Sequence, residues 1–474
     1  MTRSVLLSLT LGALAAPGCA PRHAPRTEVP PALAERPYEA PSPTRGALSS
    51  GVPVVVVENH EVPLAYVRVS LVGGGWSDPV GKEGLAQATL DMLDEGAGGL
   101  DAAGLERELR KAGLGLGTGA GDDGASLTVG GLARNLDTGL GLLAKVAFQP
   151  DFPADDWALM QKQYVAGLEK RRRDPDSIAA RVFERVLFGE AYQGRTVTEA
   201  SLAAINPTEL RAAWERLRRA DDAVIFVGGD VTLASVLPLL EKHFGSWKPT
   251  NTPTARPSPN PLAAQPAIHF VDRPGAAQSV VRVGGYVAKP TDPDWIALTV
   301  ANMGVGGQFT SRLNLNLREE KGWTYGARCS VSYDLAGGRL VASAGIQTPH
   351  TVPAVKEFWK ELADPRGVRP LEEGEVAYGR DALAYGRPLR YESADFLLGQ
   401  EEAIWRYGLP ADWTTGFVGR VRGVTTESAR AAWVDNIDPS KFVTVVVGDA
   451  SVVLEGLKGL GLPVIERDAD GNLK

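Results

Sequence analysis

The chain has 474 residues, 44% of them apolar and 23% charged, an ordinary globular composition with room for two to four domains. A formal net charge of −7, with no basic cluster interleaved with aromatics, argues against a nucleic-acid partner. The single run Lys170-Arg171-Arg172-Arg173 reads as a solvated helix face.

In chain order, residues 1–19 read as an export signal: Arg3 gives a positive start, Val5 to Ala16 is apolar, and small residues precede Cys19. The segment resembles a bacterial lipoprotein signal with Cys19 as the lipidated residue; the competing reading is a plain secretory signal with an incidental cysteine. Either one exports the protein. No later run reaches the roughly eighteen apolar residues of a membrane span. Cys329 is the only other cysteine, so no disulfide can form within the mature chain if Cys19 is lipidated or removed. Residues 20–45 carry seven prolines and read as a semi-extended tether.

The first half, residues 46–249, opens with an apolar strand from Val52 to Glu58, a polar turn and a strand from Leu64 to Val72, which together predict a hairpin. A helix is predicted from Gly84 to Glu95 and another around Ala102 to Ala112, then a strand pair near Leu114 to Leu132. Further helices are expected over Leu136 to Phe148, Ala154 to Arg173 and Asp176 to Phe188. Asn206-Pro207-Thr208 caps another, and the buried strand Ala223 to Val227 precedes the last. Residues 250–266, with five prolines, form a linker. The second half, residues 267–465, restarts with strands at Ala267 to Val271 and Ser279 to Tyr286 and a helix from Trp295 to Met303; residues 466–474 are a tail. Strands and helices without strict alternation indicate α+β.

The halves repeat each other. Arg211-Ala212-Ala213-Trp214 returns as Arg430-Ala431-Ala432-Trp433, an offset of 219 (430 − 211), and Val227-Gly228-Gly229-Asp230 returns as Val446-Val447-Gly448-Asp449 at the same offset. A period near half the chain indicates two copies of one domain rather than a solenoid.

Several stretches carry a family resemblance: Gly81-Lys82-Glu83-Gly84-Leu85-Ala86, Gly194-Arg195-Thr196, Asn206-Pro207-Thr208-Glu209-Leu210, Gly306 to Leu313 and Leu317 to Tyr325. Together they resemble the pitrilysin (insulinase) family of zinc metallopeptidases over most of the chain. The resemblance implies two homologous α/β-roll domains in a clam-shell arrangement. Active members carry H-x-x-E-H on the helix after the glycine-leucine-alanine, where two imidazoles bind zinc and the glutamate takes a proton from the metal-bound water.

Here those five positions read Gln87-Ala88-Thr89-Leu90-Asp91. Gln87 is a feeble ligand, Leu90 can move no proton, and Asp91 alone makes no zinc site. Gly167 stands at the distant ligand's position, with Glu169 two residues on, and none of the five histidines lies near another at ligand spacing. The expectation is no catalytic residue, metal or cofactor in this chain. The family's second functional pair, an arginine and a tyrosine that hold the substrate carbonyl, is matched by Arg318 and Tyr325. The competing reading makes Arg318 a surface ion-pair residue and Tyr325 a core aromatic.

Two glycine-rich stretches remain. Leu114 to Ala120 matches the edge strand on which the family lays peptides, or is a mobile loop. Gly304-Val305-Gly306-Gly307 lacks the Gly-Lys-Ser/Thr of a phosphate cradle and lets a helix turn tightly. The resemblance therefore implies a non-catalytic, substrate-binding subunit of an exported, periplasm-facing peptidase. It would form a heterodimer with an H-x-x-E-H partner that carries the zinc, reach the membrane only through its lipid anchor, and act on peptides or unfolded segments. The alternatives are a non-proteolytic envelope scaffold and, least supported, a self-sufficient hydrolase.

Overall fold

The computed structural model describes residues 40–252, 254–257 and 265–474; the expected export signal with Cys19, the expected tether up to residue 39 and part of the linker lie outside them. Two six-stranded mixed sheets with helices packed on them make an α+β fold. The first sheet has the order Thr44–Ala47, Pro53–Glu58, Ala223–Gly229, Leu64–Val72, Gly124–Leu132, Leu114–Ala120. The second runs Val464–Arg467, Ile268–Asp272, Val443–Gly448, Gln278–Val287, Gly337–Gln347, Ala327–Asp334. Strand for strand the two orders correspond, except at the outermost position. There the first sheet adds an antiparallel strand that spans the start of its half, and the second adds a parallel strand from its end.

The predicted hairpin over Val52 to Val72 is not made. Ala223–Gly229 lies between its two strands, parallel to Pro53–Glu58 and antiparallel to Leu64–Val72. Every residue of Ala223–Gly229 is buried, so it needs a partner on both edges, and that requirement overrides the short local connection. The tether also gives way at its end: Thr44 and Arg45 are sheet residues, and Arg45 binds Glu401 at 2.7 Å. The last residues are docked rather than loose, because Asp470 accepts hydrogen bonds from Arg172 at 3.0 Å and Arg181 at 2.6 Å.

The repeated motifs do the same work in both halves. Trp214 and Trp433 are fully buried, and each indole N–H donates to the carbonyl of a residue near the end of a neighbouring helix, Ala147 at 2.9 Å and Leu362 at 3.1 Å. Gly229 and Gly448 have no room for a side chain: a Cβ would lie 2.1 Å from the Leu64 carbonyl oxygen at one and 2.3 Å from Ser279 Oγ at the other. Gly229 also has φ +121°, which disfavours any other residue.

One relation crosses the halves. The helices Pro175–Phe188 and Ala394–Tyr407 stand at the same offset as the sequence repeat, and each covers the other half's sheet. Ile178, Val182, Phe183 and Leu187 pack on Val271, Val280, Val443 and Val445 of the second sheet. Tyr391, Leu397 and Leu398 pack on Val55, Val57, Val224 and Phe226 of the first. Arg68 on the first sheet pairs with Asp395 and, at 3.0 Å, with Glu402 of its visiting helix. The edge-hairpin tips meet as well: Asp123 accepts from Leu335 N at 3.0 Å, Tyr192 Oη at 2.9 Å and Tyr407 Oη at 3.0 Å.

Buried His269, on Ile268–Asp272, accepts from Arg467 Nε at 2.9 Å, and burial, helped by the Arg467 charge, pulls it down to about 4. Its folded-state value lies below the unfolded one, so the stability it contributes is complete above the unfolded value. That stability is lost as pH falls through the window between about 6.5 and about 4. From about pH 7 to about pH 4.5 the protein is expected to lose about 2.5 kcal/mol more stability than its His269→Gln variant. Urea titrations at both pH values check this; parallel pH profiles for the two proteins would exclude it. Among the described residues no helix is long and apolar enough to cross a membrane.

Candidate functional site

The helix that bears the degenerate motif is Leu85–Asp91. Gly84 enters it with φ 95°, and the Asp78 carboxylate closes its first turn by accepting from Gly84 N and Ala86 N, both at 2.8 Å. Leu90 and Thr89 face inward and are fully buried, and the Thr89 hydroxyl is spent on the Leu85 carbonyl at 2.7 Å. Gln87 and Asp91, one turn apart, hold each other: Gln87 Nε2 donates to Asp91 Oδ1 at 2.6 Å. The second Asp91 oxygen accepts from the Tyr164 hydroxyl. Gln87 Oε1 accepts from Ala120 N at 3.3 Å and so ties the helix to the edge strand.

Tyr164 escapes a search by motif. It lies on Ala154–Arg171 one turn before Gly167, so it reaches where the distant ligand would have come from. Burial, and next its bond to Asp91, push the phenol above its ordinary range, so it stays protonated and donates. Glu169 is turned to Arg172 at 3.1 Å. A zinc ion does not fit this donor set: there is no imidazole, Leu90 belongs to the core, and both Asp91 oxygens are engaged. No group of three or more His, Cys, Asp or Glu among the described residues could hold a metal ion. Tyr164→Phe is expected to cost about 2 kcal/mol, the range for a hydrogen bond to a charged group. Denaturant unfolding measures it, and an unchanged midpoint would mean the bond contributes nothing.

Arg318 sits in the helical segment Leu315–Glu320, and Tyr325 in the turn that leads into Ala327–Asp334. Gly322 at φ 66° reverses the chain, and Thr324 Oγ1 accepts from Gly326 N at 3.1 Å to fix the turn. The Arg318 guanidinium lies 4.4 Å from the centroid of the Phe309 ring, with Nε 3.5 Å from Glu319. Tyr325 is 90% exposed and Phe309 50%, so Tyr325 is not a core aromatic. Arg318 does have the ion-pair neighbour of the competing reading.

Leu114–Ala120 is a strand, not a loop: it pairs on one side with Gly124–Leu132 and is the last strand of its sheet. A side chain at Gly115, Gly117 or Gly119 would meet nothing, so the sheet face these glycines share is open, while at the end of the edge Ala120 N is already taken by Gln87. At Gly306 a Cβ would lie 2.2 Å from Cys329 Cβ, which makes that glycine a packing requirement.

Residues 204–383 match the family description "Peptidase M16 inactive domain". The chain is 22% identical over 378 residues to the non-peptidase homolog YmxG of Helicobacter pylori, covering 78% of this chain and 86% of that one. It is 25% identical over 269 residues to an uncharacterized zinc protease of Mycobacterium leprae, 56% of this chain and 60% of the relative. A solved M16 inactive domain from Pseudomonas fluorescens superposes with a TM-score of 0.80 at 23% identity, over 86% of this chain and 98% of that chain. The periplasmic protease PqqL of Escherichia coli gives 0.73 at 19% identity, covering 94% of this chain but 48% of that larger one. The chain thus shares the fold of solved M16 proteins, and its residues 204–383 match the inactive domain of the M16, pitrilysin-like peptidases.

Proposed function

We propose that the chain is the non-catalytic, substrate-binding subunit of an exported M16 metallopeptidase, supplying Arg318 and Tyr325 to a partner chain that carries H-x-x-E-H and the zinc. The observation that carries this reading is an asymmetry. In the first half the metal positions are closed by the Gln87–Asp91–Tyr164 chain of hydrogen bonds, while in the second a guanidinium and a phenol stay at the surface. A guanidinium on a helical segment and a phenol on the turn that follows, the first partly and the second almost wholly exposed, suit a carbonyl presented from outside the chain. The open edge of Leu114–Ala120 offers a place for an extended peptide.

Export with lipidation at Cys19 belongs to the same proposal, as does a periplasmic setting like that of PqqL. The test mixes the purified chain with an H-x-x-E-H relative from the same cell and measures peptide cleavage. The rate of the mixture is expected to exceed that of the partner alone; equal rates would reject the subunit role. The name of the Helicobacter relative, a non-peptidase homolog, favours a second reading, a scaffold of the same fold outside proteolysis. Co-purification without any gain in cleavage would support it.

A further inference from the structure

The edge strand Leu114–Ala120 turns its backbone groups alternately toward its neighbour and away from it. Gly121 N donates inward, to Gly124 O at 2.9 Å, while Ala120 N donates outward, to Gln87 Oε1 at 3.3 Å. These two bonds fix the parity of the strand. Leu116 and Thr118 therefore also present their N–H and C=O outward, and those groups have no hydrogen-bond partner among the described residues. Past Ala120 the chain is covered, since Gly121 O accepts from Gly75 N at 3.0 Å and Asp122 O from Trp76 N at 3.2 Å.

Gln87 can face the strand only with its oxygen. Its Nε2 donates to Asp91 Oδ1 at 2.6 Å, and the other Asp91 oxygen accepts from the Tyr164 hydroxyl. A carboxylate held in this way accepts at both ends, so the amide turns its N–H to Asp91 and its oxygen to Ala120. The first of the five motif positions thus carries a fixed acceptor, and that acceptor occupies the last outward donor of the edge.

We propose that Gln87 is a register stop, a specificity-determining residue for a peptide strand added to this edge; the inference rests on the substrate-binding reading above. The peptide takes the outward N–H and C=O of Leu116 and Thr118 with a stretch of about three residues. It halts where its next carbonyl meets a donor already taken. The partner this fits is an extended segment recognised through its main chain, with alternate side chains on the face that Gly115, Gly117 and Gly119 leave open.

Hydrogen exchange on the full chain, resolved by fragmentation mass spectrometry, tests the stop, with the soluble peptide acetyl-Lys-Thr-Val-Thr-Val-Thr-Lys-amide as probe. In the free chain the Ala120 amide is expected to exchange slowly and those of Leu116 and Thr118 fast. Gln87→Met keeps the length of the side chain without its acceptor, and is expected to speed Ala120 about tenfold. Leu127 and Val129 on the neighbouring strand are expected to keep their rates, which separates release of one donor from a loosened sheet. If melting shows Gln87→Met to be misfolded, Gln87→Ala carries the same comparison. The peptide is expected to slow Leu116 and Thr118 in both proteins, and Ala120 only in the variant. An Ala120 rate indifferent to the substitution would overturn the proposal by removing Gln87 as the stop. A peptide that slows none of the three amides, with Ala120 still released by the variant, would overturn it by removing the edge as a peptide site.

Discussion

Trp433→Ala is expected to lower the stability of the entire chain by about 4 kcal/mol, and Trp214→Ala to lower the same unfolding transition by a similar amount. Each indole is fully buried in its own half's core, and each donates its N–H to a backbone carbonyl that would be left bare. The size follows from the lost burial of a large ring plus the cavity that remains. That both changes act on one transition follows from the fold. Pro175–Phe188 and Ala394–Tyr407 each cover the face of the other half's sheet that lies opposite the tryptophan core, so neither half is expected to lose its packing alone. Calorimetry decides: two resolved transitions, each answering to one tryptophan, would show that the halves are independent. The two losses are expected to add in the double variant, because the side chains share no partner.

Arg318→Ala is expected to reduce peptide cleavage by the mixed chains about a hundredfold, the effect of removing one positioned donor from a reacting carbonyl. Tyr325→Phe, which removes only a hydroxyl, is expected to give a loss of the same kind through kcat, with KM nearly unchanged. Both side chains are at least partly exposed, and Tyr325 is 90% so, which means that the melting temperature is expected to stay where it is. That combination separates a role toward the substrate from a structural one. A full rate with either variant would remove that residue from the proposed donor pair, and a parallel drop in melting temperature would assign the loss to folding.

The sequence carried most first-half helices well, because their periodicity and caps are local: Asn206 caps Pro207–Leu217 by accepting from Thr208 N and Glu209 N as its position suggested, whereas the helix read to Glu95 ends at Asp91 and the second-half helices from Thr351 onward were not read. It also carried the duplication, and the strand orders explain why the repeated glycines and tryptophans are where they are. Strand neighbours were less legible. The runs before and after the polar turn at residues 59–61 look like a hairpin, and only the distant, wholly apolar Ala223–Gly229 decides otherwise. At the candidate site, the motif positions named Gln87, Leu90 and Asp91 but not what holds them. Tyr164 belongs to no pattern, and its role depends on how two helices meet. The exchange of helices was equally hidden, since an amphipathic helix does not say which sheet its apolar face will cover.

That exchange limits how the molecule can move. A two-part protein usually opens about a hinge, with each part keeping its own core. Here a swing of the halves would pull Phe183 and Leu187 off Val443 and Val445 at one place and Leu397 and Leu398 off Phe226 at the other, baring two apolar sheet faces at once. The two halves are therefore expected to move as one body. If the chain is the proposed subunit, a peptide would have to be admitted by motion against the partner, or along the exposed sheet edges, and not by this chain opening by itself.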